Sequence, residues 1–399
     1  MSNRPPPLQG VRVIDLTQIY NGPYATFLMA EAGAEVIKIE PHGGEHLRRR
    51  GVVGGAALPF AMLNANKRAV TLNLKMPRGR DLLIEMVKRA DILVENFAPA
   101  TMDRLGLGWD VLSAANPRLV YGCSSGYGRT GPNRDYPAMD LTVQAMSGIM
   151  SVTGFPDRPP VKAGPAVCDF SAGIHLYAAV MTALYERERT GCGRLVEVAM
   201  QEAVYATLSS NLGLLYGRGP EAATRTGNRH GGLAESPYNV YPSSDGWLAI
   251  ICVGEAHWRA LVGVMGRPEL ADDPRLANLE SRVAHMDLVD EIIGGWTRAR
   301  TKQALFDALI AAHVPCAPVR TLEEVVNDPH MHERGALQWT DHPELGRIVV
   351  QRSPLRFEGT PFPALEPSRT LGADNSKIYG EWLGLSQSDL AELAKTGVI

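Results

Sequence analysis

Charge of one sign, paired cysteines, long apolar runs and the usual nucleotide-loop fingerprints are all missing from this sequence. Lys and Arg number 40 against 43 Asp and Glu, a formal net charge of −3. No global field therefore favours nucleic acid or an anionic membrane, and any bound anion must be held by local positive charge. The cysteines are five, Cys123, Cys168, Cys192, Cys252 and Cys316, an odd number with no C-x-x-C pair. That excludes a disulfide framework and fits a reducing compartment with thiols buried as small apolar groups. His330 and His332 have no neighbouring cysteine and no HExxH context, so no metal is expected, and a solvated loop is the expected home of the pair. Met1–Gln9 carries one Arg and three consecutive prolines without an apolar centre, unlike a signal or transit peptide. No stretch approaches the roughly 20 apolar residues that span a bilayer. The expectation is a cytoplasmic protein with neither a nucleic-acid nor a membrane partner.

There is no G-x-G-x-x-G after the first strand, where the turn reads Gln18-Ile19-Tyr20-Asn21-Gly22-Pro23, and no P-loop. A standard dinucleotide or NTP site is thereby disfavoured. The G-x-S-x-G elbow of the common serine hydrolases is absent as well.

What is present is a β-α-β rhythm. Short β-rich runs at Gly10–Leu16, Ala34–Glu40, Ala69–Leu74, Asp91–Val94, Leu119–Ser124 and Leu195–Ala199 alternate with helical patterns near 22–32 and at Arg78–Arg89. Longer helical patterns cover Asp140–Met150 and Phe170–Glu188. This reads as an α/β fold with a parallel sheet covered on both faces. From Arg218 the texture changes to Gly, Arg and small polar residues as far as Pro237. A hairpin around Ser243–Gly246 follows, with helices at His257–Val264, Val283–Thr297 and Lys302–Ala312, and a strand at Cys316–Val319, which together suggest a smaller α+β domain. Strand character returns at Arg347–Gln351, and the tail from Asp374 to Ala394 reads as helical.

Ligands of open α/β sheets gather beyond the carboxyl ends of the strands. Lys75, Asn96, Phe97 and Arg104 occupy such positions and could hold a phosphorylated, base-bearing ligand; each taken singly is equally a solvated loop-end group. Asp169, in Val167-Cys168-Asp169-Phe170-Ser171-Ala172-Gly173, precedes a long helical pattern. It reads as an N-cap, a position that would also present its carboxylate, among small residues, as a nucleophile toward a thioester.

Taken in order, these segments resemble the class III CoA-transferases, the family of formyl-CoA transferase, carnitine CoA-transferase and α-methylacyl-CoA racemase. The resemblance runs through L-x-G-V-R-V-I-D-L-T (Leu8–Thr17), A-E-V-I-K-I-E-P (Ala34–Pro41), N-x-N-K-R (Asn64–Arg68), V-E-N-F (Val94–Phe97) and D-R-L-G (Asp103–Gly106). It continues through G-Y-G-x-x-G-P (Gly126–Pro132), the Asp169 segment and R-x-R-T-G-x-G (Arg187–Gly193). It implies a Rossmann-like large domain built from residues 1–217 and 331–399, a small α+β domain with linkers at 218–330, and an interlocked homodimer. It implies that Asp169 relays coenzyme A from an acyl-CoA to a small carboxylic acid through an aspartyl anhydride and an aspartyl-CoA thioester. Coenzyme A is then a substrate, with no permanently bound cofactor. The positions matching the family's CoA contacts are Gln18, Ile19, Tyr20, Asn21, Leu72, Lys75, Asn96, Phe97 and Arg104.

The racemase branch carries a histidine where this chain has Met139, and methionine cannot shuttle protons, so the transferase branch is expected. Asp140, the next residue, either orients the nucleophile segment or caps its own helix, with capping favoured. Formyl-CoA transferases close a run of glycines over the site; here Gly227-Asn228-Arg229-His230-Gly231-Gly232-Leu233 has two adjacent glycines, which points away from formyl-CoA and oxalate. Arg229 and His230, with Gly231 and Gly232, instead offer charge for a second carboxylate. The expected substrates are dicarboxylic, such as succinyl-CoA with mesaconate, citramalate, malate, itaconate or glutarate. Racemisation of an α-methylacyl-CoA, and CoA transfer within one diacid, are the alternatives.

Overall fold

The computed structural model of the chain describes residues 4–49, 57–219, 221–222 and 224–399. The ends of two segments read from the sequence, Met1 to Asn3 and positions 220 and 223 of the Gly- and Arg-rich stretch, lie outside them. Two compact units emerge, one of residues 1–143, 165–204 and 328–399, the other of 144–164 and 205–327.

The first unit is built on six parallel strands: β1 (Arg12–Asp15), β2 (Glu35–Glu40), β3 (Arg68–Thr71), β4 (Ile92–Glu95), β5 (Val120–Ser125) and β6 (Leu195–Ala199). Their order is β3-β2-β1-β4-β5-β6. The apolar runs RVID, ILVE and VYGCSS are buried almost throughout because both faces of the sheet are covered. One face carries the Asn21–Glu31 and Val167–Thr190 helices, through Ala25, Met29, Leu176, Val180 and Ala183. The other carries the Pro77–Val87, Asn375–Leu383 and Gln387–Lys395 helices, through Leu82, Met86, Ile378, Tyr379 and Leu393. The chain's last segment also caps the edge strand β3. Asp374 Oδ2 accepts from Ala69 N at 2.8 Å, Asn375 Oδ1 accepts from Thr71 N at 2.8 Å, and the Tyr379 hydroxyl donates to Thr71 O at 2.7 Å. An edge whose N–H and C=O groups are used in this way cannot recruit another strand.

The second unit holds an antiparallel sheet of β7 (Tyr238–Pro242), β8 (Trp247–Ile251) and β9 (Cys316–Pro318). The Glu255–Val264, Met286–Thr297 and Lys302–Ala311 helices pack on it through Trp258, Leu261, Val289, Ile293, Leu305 and Leu309. A separate hairpin, β10 (Leu337–His342) with β11 (Gly346–Gln351), belongs to the first unit.

Several sequence expectations need correction. The helical run read over Asp140–Met150 breaks at Gly148, whose φ of 92° no L side chain adopts cheaply, giving helices Asp140–Met146 and Ile149–Val152. The helical tail likewise breaks at Gly384. His330 and His332 lie in a short helix, Pro329–Glu333, and His332 stacks on Trp339 at 6.1 Å. Of the five thiols, Cys123, Cys168 and Cys252 are buried but Cys192 is exposed. Val167–Thr190 is long and apolar enough by composition to cross a membrane, which the residue-by-residue reading missed, yet one face of it packs on the sheet.

Candidate active site

In this strand order the chain reverses direction between β1 and β4, which opens a crevice at their carboxyl ends. Two turns meet there. Gln18 N donates to Asn96 Oδ1 at 2.7 Å and Asn96 Nδ2 donates to Gln18 O at 2.8 Å, so the Asn96 side chain is spent on joining the turn after β1 to the turn after β4. Phe97 is steadied from below. Its N–H donates to Glu95 Oε2 at 2.7 Å, while Glu95 Oε1 accepts from the Tyr121 hydroxyl at 3.2 Å. Burial pushes the Glu95 carboxyl up to about 7.

A cavity of about 560 Å³ occupies this crevice, and Gln18, Ile19, Asn21, Asn96, Phe97 and Asp169 line it. Arg104 reaches its rim, exposed and paired with no carboxylate among the described residues. A second cavity of about 430 Å³ shares Gln18 and Phe97 with the first and adds Leu72 and Lys75. Nine of the ten residues expected to relay or bind coenzyme A thus gather around two adjoining hollows. The tenth, Tyr20, lines neither; its ring stacks at 5.8 Å on that of Phe170, the residue after Asp169.

The reading of Asp169 as an N-cap is overturned. Ala166 holds that position without a side-chain bond, and Asp169 is the third residue inside the helix. The free N–H groups of the first turn are met from outside by Asp140 Oδ1, which accepts from Cys168 N at 2.9 Å and Asp169 N at 3.2 Å. Asp140 therefore caps the Val167–Thr190 helix, whereas Thr142 Oγ1 bonds to Met139 N and O at the start of the Asp140–Met146 helix. With its cap supplied by another segment, Asp169 keeps its own carboxylate for the cavity. That carboxylate is 7% exposed. Burial first, and then the Asp140 carboxylate, push it up to about 7, so about half of it is ionised at neutral pH and it is far more basic than an ordinary carboxylate.

Gly173 explains the D-x-x-x-G spacing. A Cβ there would lie 2.6 Å from Asn21 O, so only glycine lets the helix touch the turn after β1. Asn21 is oriented in turn by Ser124 at the end of β5. Asn21 Nδ2 donates to Ser124 Oγ at 2.8 Å, and Ser124 Oγ donates to Val198 O at 3.0 Å. Sequence reading missed Ser124, Arg134 and Met200, all on the first cavity. Ser124, at the end of β5, and Met200, directly after β6, were within reach of the rule that strand ends carry ligands; Arg134 comes from a turn that no local pattern announces.

Glu40 stands at the end of β2, where a dinucleotide fold offers a carboxylate to ribose. Here Arg48 holds it, at 2.8 Å from Oε1 and 3.0 Å from Oε2, in agreement with the missing glycine fingerprint. No group of three or more His, Cys, Asp or Glu side chains suited to a metal occurs among the described residues.

Arg229, His230, Gly231 and Gly232 belong to the second unit. The Arg229 guanidinium is held by Asp287 at 2.6 Å and Asp290 at 2.6 Å, and Asp290 also accepts from the Tyr241 hydroxyl at 2.8 Å. Two carboxylates thus neutralise the charge that the sequence seemed to offer a substrate. At Gly232 a Cβ would approach Ser210 O to 3.0 Å, a packing reason for glycine there.

Comparison with known proteins agrees with this geometry. The family model described as CoA-transferase family III matches residues 8–375. The formyl-CoA:oxalate CoA-transferase of Streptomyces avermitilis is 37% identical, over 98% of this chain and 99% of its own length. The succinyl-CoA–D-citramalate CoA-transferase of Chloroflexus aurantiacus is 37% identical over the whole of both chains. Among solved structures, a CAIB/BAIF family protein from Brucella suis superposes with a TM-score of 0.82 at 32% identity, covering 94% of this chain and 99% of that one.

Proposed function

For a member of CoA-transferase family III, the enzyme family to which this chain belongs, we propose that Asp169 carries coenzyme A between two acids, at least one of them a diacid. The observation that carries this reading is a buried, basic carboxylate facing a cavity of about 560 Å³ that shares Gln18 and Phe97 with another of about 430 Å³. A carboxylate of raised pKa is a better nucleophile, and about half of it is in the ionised, attacking form near neutrality.

An Asp169 oxygen attacks the donor's thioester carbon, the C–S bond breaks, and coenzyme A leaves as thiolate from an aspartyl-acyl anhydride. The thiolate attacks the aspartyl carbonyl, the anhydride C–O bond breaks, and the donor acid departs as carboxylate. The acceptor carboxylate then expels the thiolate from the aspartyl thioester, giving a new anhydride. Thiolate attack on the acceptor's carbonyl releases the new thioester and restores Asp169. No proton is gained or lost over the cycle, so no second acid-base group is required. Met139, on the cavity wall where a proton shuttle would stand, suits this chemistry and not racemisation.

Leu72 and Phe97 offer apolar contact for the nucleotide end, and Lys75 and Arg104 unpaired charge for its phosphates. Both relatives' names include a diacid, oxalate in one and succinyl with citramalate in the other. Arg229 could meet a second carboxylate only by leaving Asp287 and Asp290. Arg134 lines the Asp169 cavity directly and, among the described residues, has its one ion pair with its exposed neighbour Asp135 at 3.2 Å. Loss of diacid transfer with retained monoacid transfer in Arg134→Ala, but not in Arg229→Ala, would assign the role to Arg134; the reverse result would assign it to Arg229.

The domain arrangement proposed with this function is a large thioester-binding domain with a small α+β domain, paired as an interlocked homodimer. Exposed apolar side chains, among them Met139, Leu141, Ile174 and Tyr185, support burial against a second copy. Five cysteines with no disulfide among the described residues suit the reducing cytoplasm. The deciding experiment follows acyl-CoA species by mass spectrometry, with succinyl-CoA and a panel of acids. Wild type should produce a new thioester and Asp169→Ala should fall by at least about 10³-fold. Equal transfer by the variant would refute the relay.

A further inference from the structure

Beneath the turn Thr17–Asn21, outside both cavities, lies a knot of charged side chains that the transfer chemistry does not use. Asp15, Lys38 and Lys67 are 0%, 1% and 2% exposed. Lys67 Nζ lies 3.0 Å from Asp15 Oδ2, 2.7 Å from Thr26 Oγ1, 3.0 Å from Asn64 Oδ1 and 3.0 Å from Pro23 O. An ammonium has three protons, so this one is fully engaged. Asp15 accepts from Thr17 N at 2.9 Å and from the Thr17 and Thr26 hydroxyls at 2.5 and 2.6 Å. Lys38 donates to Thr17 O, and Glu45, from the wall of the second cavity, accepts from Ile19 N through Oε2 at 3.4 Å.

The knot surrounds a backbone that would not hold its shape alone. Ile19 has φ of 66°, a left-handed conformation that a β-branched side chain adopts only where its surroundings over-determine it. Gly22 follows, where a Cβ would meet Thr17 Cγ2 at 2.3 Å. This is the turn that lends Gln18, Ile19 and Asn21 to the Asp169 cavity.

We propose that Lys67 is a positioning residue for the transfer reaction: through Asp15, Thr26 and the Pro23 carbonyl it locks the strained turn, and with it one wall of the Asp169 cavity, in the geometry that receives the thioester carbon. The inference rests on reading that cavity as the transfer site. It also accounts for three segments of the N-terminal sequence at once. The D-L-T, V-I-K-I-E and N-x-N-K-R motifs supply Asp15 and Thr17, Lys38, and Asn64 and Lys67, and none of these five side chains lines either cavity.

The test compares wild type with Asp15→Asn/Lys67→Met, which removes the closest buried pair together; Asn keeps an oxygen for the Thr17 and Thr26 donors, and Lys38, 3.9 Å from Asp15 Oδ1, keeps its bond to Thr17 O. Lys75, Leu72 and Arg104 are untouched, so free coenzyme A should bind within about threefold of wild type. Misplacing the reacting end should lower kcat for acyl-CoA transfer by about 30-fold or more, with the thermal midpoint near that of wild type. A wild-type kcat would overturn the proposal, as would coenzyme A binding and turnover that fall together with the midpoint. Should the double variant fail to fold, Thr26→Val, which removes only the hydroxyl between Lys67 and Asp15, should still lower kcat about fivefold at unchanged coenzyme A affinity, and an unchanged kcat would count against Lys67. Absence of transfer by wild type refutes the transfer site itself, whereas an unimpaired variant beside an active wild type refutes only the role of Lys67.

Discussion

Asp169 and Asp140 are two carboxylates given different work by a difference of a few bonds. Asp140 accepts from the helix N–H groups and spends its charge there, while Asp169 faces the cavity and is made basic by burial and by its neighbour. Because Asp169 attacks only when ionised and its carboxyl is raised to about 7, kcat/KM should fall about tenfold per pH unit below that value and level off above it. Asp140→Asn keeps an oxygen for the two N–H groups but removes the negative charge. Its acid limb should therefore move to lower pH by roughly 0.5–1 unit, burial remaining the larger cause. A limb that stays in place in the pH profile would show that Asp140 acts on Asp169 through geometry alone.

At the scale of elements, the site depends on one helix touching one turn. Gly173→Ala places a methyl group 2.6 Å from Asn21 O, against backbone rather than a yielding side chain. Either the Val167–Thr190 helix withdraws or the turn after β1 shifts. The expected result is a loss of about 1–3 kcal/mol of stability by denaturant titration and a drop in kcat of about 10- to 100-fold. Wild-type turnover in this variant would mean the contact is slack. The six parallel strands were legible because each is a short apolar run bounded by turn residues, and all six lie within two or three residues of where the pattern put them. The β10 strand, Leu337–His342, escaped notice because its residues LQWTDH are mostly partly exposed and carry no apolar alternation.

At the scale of the molecule, the Val167–Thr190 helix has two apolar faces. Leu176, Val180 and Ala183 meet the sheet, whereas Ile174, Ala178, Thr182 and Tyr185 form an exposed stripe at helical spacing. A second copy of the chain covering that stripe is the expected reason, and sedimentation should give twice the chain mass, with Tyr185→Asp shifting the equilibrium toward the single chain. A wild-type protein that sediments as one chain at micromolar concentration would contradict the homodimer.

The sequence by itself determined the class of fold and the family, because these are carried by local periodicity and by ordered motifs that survive without any knowledge of contacts. It also pointed to the strand-end residues, since a parallel sheet binds at one end whatever its details. Only the tertiary structure decided what each of them does. Asn96 joins two turns, Asp140 caps a helix 28 residues away, and Arg229 is neutralised by carboxylates some 60 residues further on. Lys67, whose place in Asn66-Lys67-Arg68 says nothing of its surroundings, is buried. Hydrogen bonds and ion pairs act over a few ångströms, and which groups come that close is set by the packing of the sheet and helices, not by spacing along the chain.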